Sequence, residues 1–408
     1  MNFIQGGVCA SKGFSANGVH CGIRKGRDKK DLALIFSTVP ASSAATYTTN
    51  LVKGAPLTVT KNNIEASQNI SQAVICNSGY ANTCNADGIE IAQQMCNLAA
   101  EALNIDPSKV IVGSTGIIGQ QLSIEPIKNG IHELVSGLEN SQQGNDSAAE
   151  AIMTTDTIKK EAAIEFNIGG SVCHIGGIAK GSGMIHPNMA TMLVFITSDV
   201  AITGEYLQKA LSMQVPETFN MISIDGDTST NDMAVIMANG MAENDLINSD
   251  GENFDIFCEA LNKILVKLSR TIASDGEGAT RLLECKITGA QDHDSAKTAA
   301  KSVICSNLFK AAMFGADANW GRVLCALGYS GVQIDPLKVD VTFRSPAGEV
   351  EVCKNGTGLS FSEDFAKQVL NEKEIEILVN LNLGNASATA WGCDLTYDYV
   401  KINGSYRS

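Results

Sequence analysis

The chain has 408 residues, of which 44% are hydrophobic and 18% are charged, a composition typical of a globular protein with one or two domains. Its net charge is −14, and basic residues cluster only within residues 24–30, which argues against nucleic-acid binding. No apolar run is long enough to span a bilayer and no secretory signal is visible, so we expect no membrane partner and a cytoplasmic location.

Twelve cysteines are spread along the chain, none of them in a C-x-x-C pair, and most lie in apolar surroundings. This pattern predicts reduced, buried thiols and no zinc site. Asp225, Asp227 and Asp232 loosely suggest calcium, but the spaced glycine and glutamate of an EF-hand are absent. We therefore expect no metal and interpret residues 225–232 as an active-site or turn loop.

The first half of the chain alternates predicted strands and helices. Apolar runs predict buried strands at 31–36, 74–76 and 109–112, the last of them ending in the polar sequence 113–119. The spacing of apolar residues predicts helices at 87–104, 124–138 and 146–153. Two alternating segments, 162–168 and 172–179, predict a hairpin that leads to Lys180.

The second half begins with a predicted buried strand at 192–196, a helix at 205–214 and a strand at 221–224. The clearest helix is predicted at 252–273, because its apolar residues form one stripe. Residues 295–315 are predicted to be helical. The remaining predicted strands, which would complete a sheet, are 339–343, 350–353, 375–383, 386–395 and 397–402.

Residues 180–193 read Lys-Gly-Ser-Gly-Met-Ile-His-Pro-Asn-Met-Ala-Thr-Met-Leu, with small and flexible residues before a threonine that opens an apolar run. This arrangement suits an enzyme that cuts its own chain between Ala190 and Thr191. The cut would free an α-amine beside the Thr191 hydroxyl, and an N-terminal threonine is an activated nucleophile with its own amine as base. An α-amine has a pKa of about 7.7–8.0, so roughly a third is neutral near pH 7.5.

The same segment resembles the cleavage and nucleophile segment of the ornithine acetyltransferase (glutamate N-acetyltransferase) family of arginine biosynthesis. The resemblance covers nearly the whole chain, from Lys12 to Ser408. Besides 180–193, the segments that carry it are 12–23, 30–35, 48–56, 74–84, 113–119, 153–157, 225–232, 274–280, 315–322 and 399–408. One departure is Tyr80, where the family pattern has asparagine.

The resemblance implies roles for individual residues. Thr191 would be the nucleophile, and Thr115 and Gly116 would form the oxyanion hole. The loss of one donor from such a hole typically lowers kcat by about 10²–10³. The substrate-binding residues that the resemblance implies are Thr154, Lys180, Thr191, Glu277, Asn403 and Ser408. Glu277 suits the ammonium group of an ornithine-like side chain, and Lys180 suits a carboxylate or the charge that develops during reaction.

The resemblance also implies a fold and a reaction. The fold is an α/β arrangement of layered sheets and helices like that of N-terminal-nucleophile enzymes, self-cleaved into two intertwined chains, 1–190 and 191–408. The reaction transfers the acetyl group of N2-acetylornithine to glutamate through an acetyl-Thr191 intermediate. Some family members also use acetyl-CoA to make acetylglutamate. No cofactor is expected, and the family implies a heterotetramer of two fragments of each kind.

Two alternatives remain open from the residues. An N-terminal-nucleophile amidase or aminopeptidase of related fold would use water to resolve its acyl-enzyme. A non-catalytic amino-acid-binding protein would keep the site without cleaving the chain. We do not expect His186 to act as a base, because the Thr191 amine already supplies one. The chain has five histidines and no Ser-His-Asp pattern, which argues against a conventional triad.

Overall fold

The computed structural model describes residues 1–24, 26, 28–186 and 192–405. Ala190, Thr191 and Ser408, which the sequence predicts at the cleavage point and in the site, lie outside these described residues. The described strands are β1 Asn2–Ile4, β2 Phe14–Val19, β3 Leu32–Tyr47, β4 Ile70–Tyr80, β5 Val110–Ile117, β6 Lys160–Ile168, β7 Ser171–Lys180, β8 Leu193–Ser198, β9 Ile222–Ser223, β10 Met233–Ala238, β11 Leu282–Ala290, β12 Asp340–Ser345, β13 Gly348–Lys354, β14 Thr357–Gly358, β15 Glu374–Asn380 and β16 Ala386–Cys393. The described α-helices are α1 Ala55–Ala66, α2 Gly88–Leu103, α3 Glu125–Ser136, α4 Gln142–Ile152, α5 Gly204–Gln214, α6 Glu252–Ser274, α7 His293–Cys305, α8 Asn307–Phe314, α9 Trp320–Gly328, α10 Glu363–Leu370 and α11 Tyr397–Ser405.

The larger sheet carries the centre of the molecule. Within the described residues it has nine strands in the order β1-β6-β7-β8-β10-β3-β4-β5, with β2 paired to β3. Strands β8 and β10 pair in parallel and are buried at every position, as expected of strands covered on both faces. Because β7 pairs with the other edge of β8, the end of β7 and the start of β8 lie side by side.

A second sheet and a long helix complete the layers. The second sheet has seven strands in the described part of the chain, in the order β14-β13-β12-β15-β11-β16-β9. Helix α6 contacts β6 and β7 of the first sheet and β11 and β16 of the second, so it packs between them. Helix α4 contacts β2, β3 and β7 of the first sheet. The α/β arrangement of layered sheets and helices that the sequence predicts is therefore confirmed.

The structure corrects the predicted elements at several places. Strand β5 continues through Gly113 to Ile117, so the polar segment forms the end of the strand and does not follow it. Residues 295–315 form two helices, because Ser306 ends α7 and its hydroxyl accepts a hydrogen bond from the Phe309 N–H at the start of α8.

The prediction of a final strand at 397–402 is wrong, because these residues lie in helix α11. The Thr396 hydroxyl accepts a hydrogen bond from the Tyr399 N–H at 3.4 Å, which is the pattern of a helix N-cap. None of the described helices combines the length and apolarity that a bilayer crossing requires.

Candidate active site

Six of the predicted site residues line one cavity of about 140 Å³. They are Thr115, Gly116, Thr154, Lys180, Glu277 and Asn403. Four of them precede the predicted cleavage point and two follow it, so both predicted fragments contribute to the wall. Met192, which follows Thr191 in the chain, lines an adjoining cavity of about 20 Å³. Thr115 and Lys180 line both cavities.

The predicted oxyanion hole lies at the end of β5, against its parallel neighbour β4. The register places Gly116 beside Gly79. The backbone of Gly116 has a φ of +131°, and a Cβ there would lie 2.3 Å from the Gly79 carbonyl group, so only glycine fits. This close packing fixes the peptide groups of Thr115 and Gly116, as an oxyanion hole requires of its donors.

Lys180 ends β7 at the wall of the cavity. In the described part of the chain, its ammonium group has no hydrogen-bond or ion-pair partner. The next residue, Gly181, donates its N–H to Asp156 Oδ1 at 2.7 Å, and Thr154 donates its N–H to Asp156 Oδ2 at 2.9 Å. A single carboxylate therefore fixes the backbone beside two predicted substrate-binding residues, and leaves the Lys180 ammonium group available.

A buried ion-pair network lies behind this wall. The side chain of Lys160 is fully buried, and its Nζ lies 2.7 Å from Asp156 Oδ1 and 2.5 Å from Asp275 Oδ2. Burial opposes the ionisation of Asp156, but the charges of Lys180 and Lys160 outweigh it and hold the pKa of this carboxyl below its usual range. Asp275 also accepts the N–H of Thr157 at 3.0 Å. The network thus connects the segment after α4 to the turn that follows α6.

Glu277 lies in that turn and is 9% exposed. Its N–H donates to the Ser182 carbonyl at 2.9 Å, and its Oε2 accepts a hydrogen bond from Asn403 Nδ2 at 2.7 Å. A Cβ at Gly183 would lie 2.5 Å from the Glu277 carboxyl group, so a side chain there would displace it. Gly183 therefore allows the carboxylate to pack closely against the Lys180 loop, where it can accept hydrogen bonds from an ammonium group.

Asn231 is a structural member of the site that the sequence does not single out. Its Nδ2 donates to the carbonyls of Ala81 at 2.6 Å and Ser114 at 3.0 Å, and its Oδ1 accepts from Thr83 Oγ1 at 2.5 Å. Asn231 thus ties the start of β10 to the ends of β4 and β5. The one sequence signal was its place in the polar segment 225–232, which does not reveal which side chain turns inward.

Two further polar residues lie near the loop after β7: Asp225 binds the backbone of this loop, and His186 contacts a side chain. Asp225 accepts the N–H groups of Met184 at 2.6 Å and Ile185 at 2.9 Å. Within the described residues no group of side chains has the arrangement of a metal site. His186 contacts Ser223 Oγ at 3.0 Å, and burial together with Lys301 lowers the pKa of His186 to about 4. His186 is not among the described residues that line the cavity.

Fixed peptide groups beside a free ammonium group and a buried carboxylate suit an enzyme that transfers acyl groups between small charged molecules. Residues 15–408 match the ArgJ family. The arginine biosynthesis bifunctional protein ArgJ 1 of Clostridium acetobutylicum is 52% identical over 396 residues, which are 97% of this chain and 96% of the relative. ArgJ of Caldanaerobacter subterraneus is 49% identical, with each chain covered completely.

The ArgJ protein of Bacillus halodurans, for which a crystal structure has been solved, is 46% identical in sequence to this chain. The two structures superpose with a TM-score of 0.50, and the match covers 52% of this chain and 98% of the crystal chain. The chain belongs to the ArgJ family. It is an acyltransferase of arginine biosynthesis, and its predicted resemblance to the ornithine acetyltransferase family is confirmed. The family assignment favours this transferase over the amidase that the residues alone left open.

Proposed function

We propose that the chain transfers the acetyl group of N2-acetylornithine to glutamate through an acetyl-Thr191 intermediate. One observation carries the proposal: Lys180 and Glu277, which belong to different predicted fragments, line the same cavity as Thr115 and Gly116. A cation and an anion beside an oxyanion hole suit a substrate that has a carboxylate, an ammonium group and an acyl carbonyl.

In the first half-reaction, the Thr191 oxygen forms a bond to the acetyl carbonyl carbon, and its proton passes to the Thr191 amine. The peptide groups of Thr115 and Gly116 stabilise the negative charge on the carbonyl oxygen. The carbon–nitrogen bond then breaks, and the leaving nitrogen takes the proton as ornithine departs. In the second half-reaction, the neutral amine of glutamate attacks the ester carbon and gives one proton to the Thr191 amine. The bond between that carbon and the Thr191 oxygen then breaks, and this oxygen takes the proton from the amine.

The substrate contacts follow from the charges. We assign the side-chain ammonium group of acetylornithine to Glu277, which Asn403 holds in place. We assign a carboxylate to Lys180, because its residue lines the cavity and its ammonium group makes no hydrogen bond or close ion pair within the described residues. Thr154 and Ser408 would provide hydroxyl groups for the backbone of the amino acid. Glutamate has no side-chain ammonium group, so it would have to use the same site with a different set of contacts.

The proposal includes cleavage between Ala190 and Thr191 into fragments 1–190 and 191–408. Two strand pairings would hold the fragments together, because β8 pairs with β7 and β10 pairs with β3 across the cleavage point. The match to the Bacillus halodurans structure covers 98% of the crystal chain but 52% of this chain. The crystal chain therefore has about the length of one such fragment. We further propose a heterotetramer with two fragments of each kind and a cytoplasmic location.

A second reaction, acetyl transfer from acetyl-CoA to glutamate, is part of the proposal. The names of the relatives from Clostridium and Caldanaerobacter describe bifunctional proteins, which favours two acetyl donors. Acetyl-CoA would acylate Thr191 and glutamate would accept the group as before, so no resident cofactor is required. Wild-type protein that uses acetylornithine but not acetyl-CoA would restrict the function to the first reaction.

The test compares the intact masses of wild-type protein, Thr191→Ala and Thr191→Ser. We expect two fragments beginning at Met1 and Thr191 in the wild type, a single chain for the alanine variant, and slower cleavage for the serine variant, which keeps a hydroxyl. Acetyl transfer to glutamate should follow the cleaved fraction. A single uncleaved mass for all three would refute the mechanism, and acetyl release without an added amine would indicate a hydrolase.

A further inference from the structure

The base proposed for acetyl transfer does not exist before cleavage. While the bond between Ala190 and Thr191 is intact, the nitrogen of Thr191 is an amide nitrogen, which does not accept a proton from the hydroxyl group. The cleavage step in the proposed function therefore needs a different proton acceptor in the precursor. This acceptor must lie near the start of β8, because Thr191 is bonded directly to Met192.

Asp232 has the properties that this step requires. Its side chain is buried, with 2% of the residue exposed, and its Oδ2 has no hydrogen-bond partner in the described part of the chain. A buried polar atom without a partner destabilises the fold, so its presence in the site calls for a reason. Asp232 lines the cavity of about 20 Å³ together with Thr115, Lys180 and Met192.

The strand register places Asp232 next to Met192. Strands β8 and β10 are parallel with Met233 beside Leu193, and the Met233 N–H donates to the Met192 carbonyl at 2.8 Å. Neighbouring strands lie about 4.8 Å apart, and consecutive Cα atoms along a chain are about 3.8 Å apart. Asp232 therefore lies beside Met192, the residue to which Thr191 is covalently bonded.

The other carboxylates of the described site are already paired. Asp156 and Asp275 both bind the Lys160 ammonium group, and Glu277 accepts a hydrogen bond from Asn403. None of these three lines the smaller cavity. Asp232 is thus the carboxyl group that both faces this cavity and keeps an oxygen atom free among the described residues.

The environment of Asp232 also suits proton transfer. Burial raises its pKa well above the usual range for aspartate, while hydrogen bonds from Ser229 and the charge of Lys180 oppose the shift. A carboxylate with a raised pKa is a stronger base when ionised, and its neutral form readily gives the proton back to a basic nitrogen.

We propose that Asp232 carries the proton from oxygen to nitrogen during self-cleavage, an inference that rests on the proposed function. The Asp232 carboxylate takes the Thr191 hydroxyl proton as the oxygen forms a bond to the Ala190 carbonyl carbon. The bond between that carbon and the Thr191 nitrogen then breaks, and the nitrogen takes the proton from Asp232. The resulting ester is opened by water, which yields the Ala190 carboxyl group and restores the Thr191 hydroxyl.

The experiment measures the cleaved fraction over time by intact mass for wild-type protein and Asp232→Asn. The matched control is Asp199→Asn, because Asp199 is also fully buried and follows the other end of β8, where it accepts the N–H of His174. We expect Asp232→Asn to slow cleavage by about 10²–10⁴-fold, the range for loss of a general acid–base group. Cleavage of Asp199→Asn should stay within about threefold of the wild type.

A second variant separates chemistry from folding. Asp232→Ala opens space for a small acid, so added formate should accelerate its cleavage but should not affect Thr191→Ala. The proposal is overturned by wild-type cleavage rates in Asp232→Asn, by equally slow cleavage in Asp199→Asn, or by the absence of formate rescue. Wild-type protein that does not cleave at all would instead refute the proposed function, and this inference with it.

Discussion

Replacement of Lys160 by methionine tests the buried ion-pair network behind the site. The substitution removes one positive charge and leaves two carboxylates, those of Asp156 and Asp275, without their shared partner. The side chains of Lys160 and Asp156 are fully buried and that of Asp275 is 6% exposed, so water cannot replace the lost contacts. Removal of one member of a buried ion pair typically costs about 3–5 kcal/mol, and we expect this loss in the free energy of unfolding.

Lys159→Met is the matched control for this experiment. The neighbouring lysine is 34% exposed and pairs with Asp146 at 2.6 Å and Glu150 at 3.7 Å. Such partly exposed pairs contribute about 0–1 kcal/mol, so the two adjacent substitutions should differ by at least about 2 kcal/mol.

The assay is urea denaturation of both variants in a Thr191→Ala background, which keeps each protein a single chain under the proposed mechanism. Acetyl transfer by the variants with Thr191 intact provides a second readout. Lys160→Met should lower kcat/KM, because Asp156 holds the backbone beside Thr154 and Lys180. Equal denaturation midpoints for Lys160→Met and Lys159→Met would refute the view that the buried network stabilises this region.

Three further predictions concern single positions. Gly183→Ala should raise the KM for acetylornithine at least tenfold with little loss of stability, because the new Cβ displaces the Glu277 carboxylate; an unchanged KM would contradict the assigned ammonium contact. Asn231→Ala should lower the free energy of unfolding by about 1–3 kcal/mol, because two buried carbonyl groups lose their donor; denaturation indistinguishable from wild type would disprove this. The lowered pKa of His186 means that the unfolded chain binds a proton between pH 6.5 and about 4 while the folded chain does not. The free energy of unfolding should therefore fall as the pH drops through this window, and His186→Gln should reduce that fall. The measurement compares denaturation midpoints of the wild type and the variant at pH 7.5 and 5. An identical fall in the two proteins would show that His186 does not contribute.

The candidate site residues were identified through the resemblance of short, contiguous segments to a known family, and not through composition or periodicity. Thr115 and Gly116, Thr154, Lys180 and Glu277 each occur in a short segment of polar and glycine residues, and all of them line the cavity. The roles of these residues and of Thr191 and Ser408 stay predictions. Pattern could not single out Asn231, because its partners Ala81 and Ser114 are distant in sequence.

Helix α6 shows what the sequence by itself determined. Its apolar stripe predicts a helix at 252–273 and the structure has Glu252–Ser274, because a long amphipathic pattern has one stable solution. The tail at 397–402 shows what only the tertiary structure decided. Short segments fit either a strand or a helix by pattern. Here Thr396 starts a helix, and the contact between Asn403 and Glu277 fixes it at the cavity. The sequence thus determined the strongly periodic elements and the motifs of the site, whereas the contacts between distant residues, on which the geometry of the cavity depends, arose only on folding.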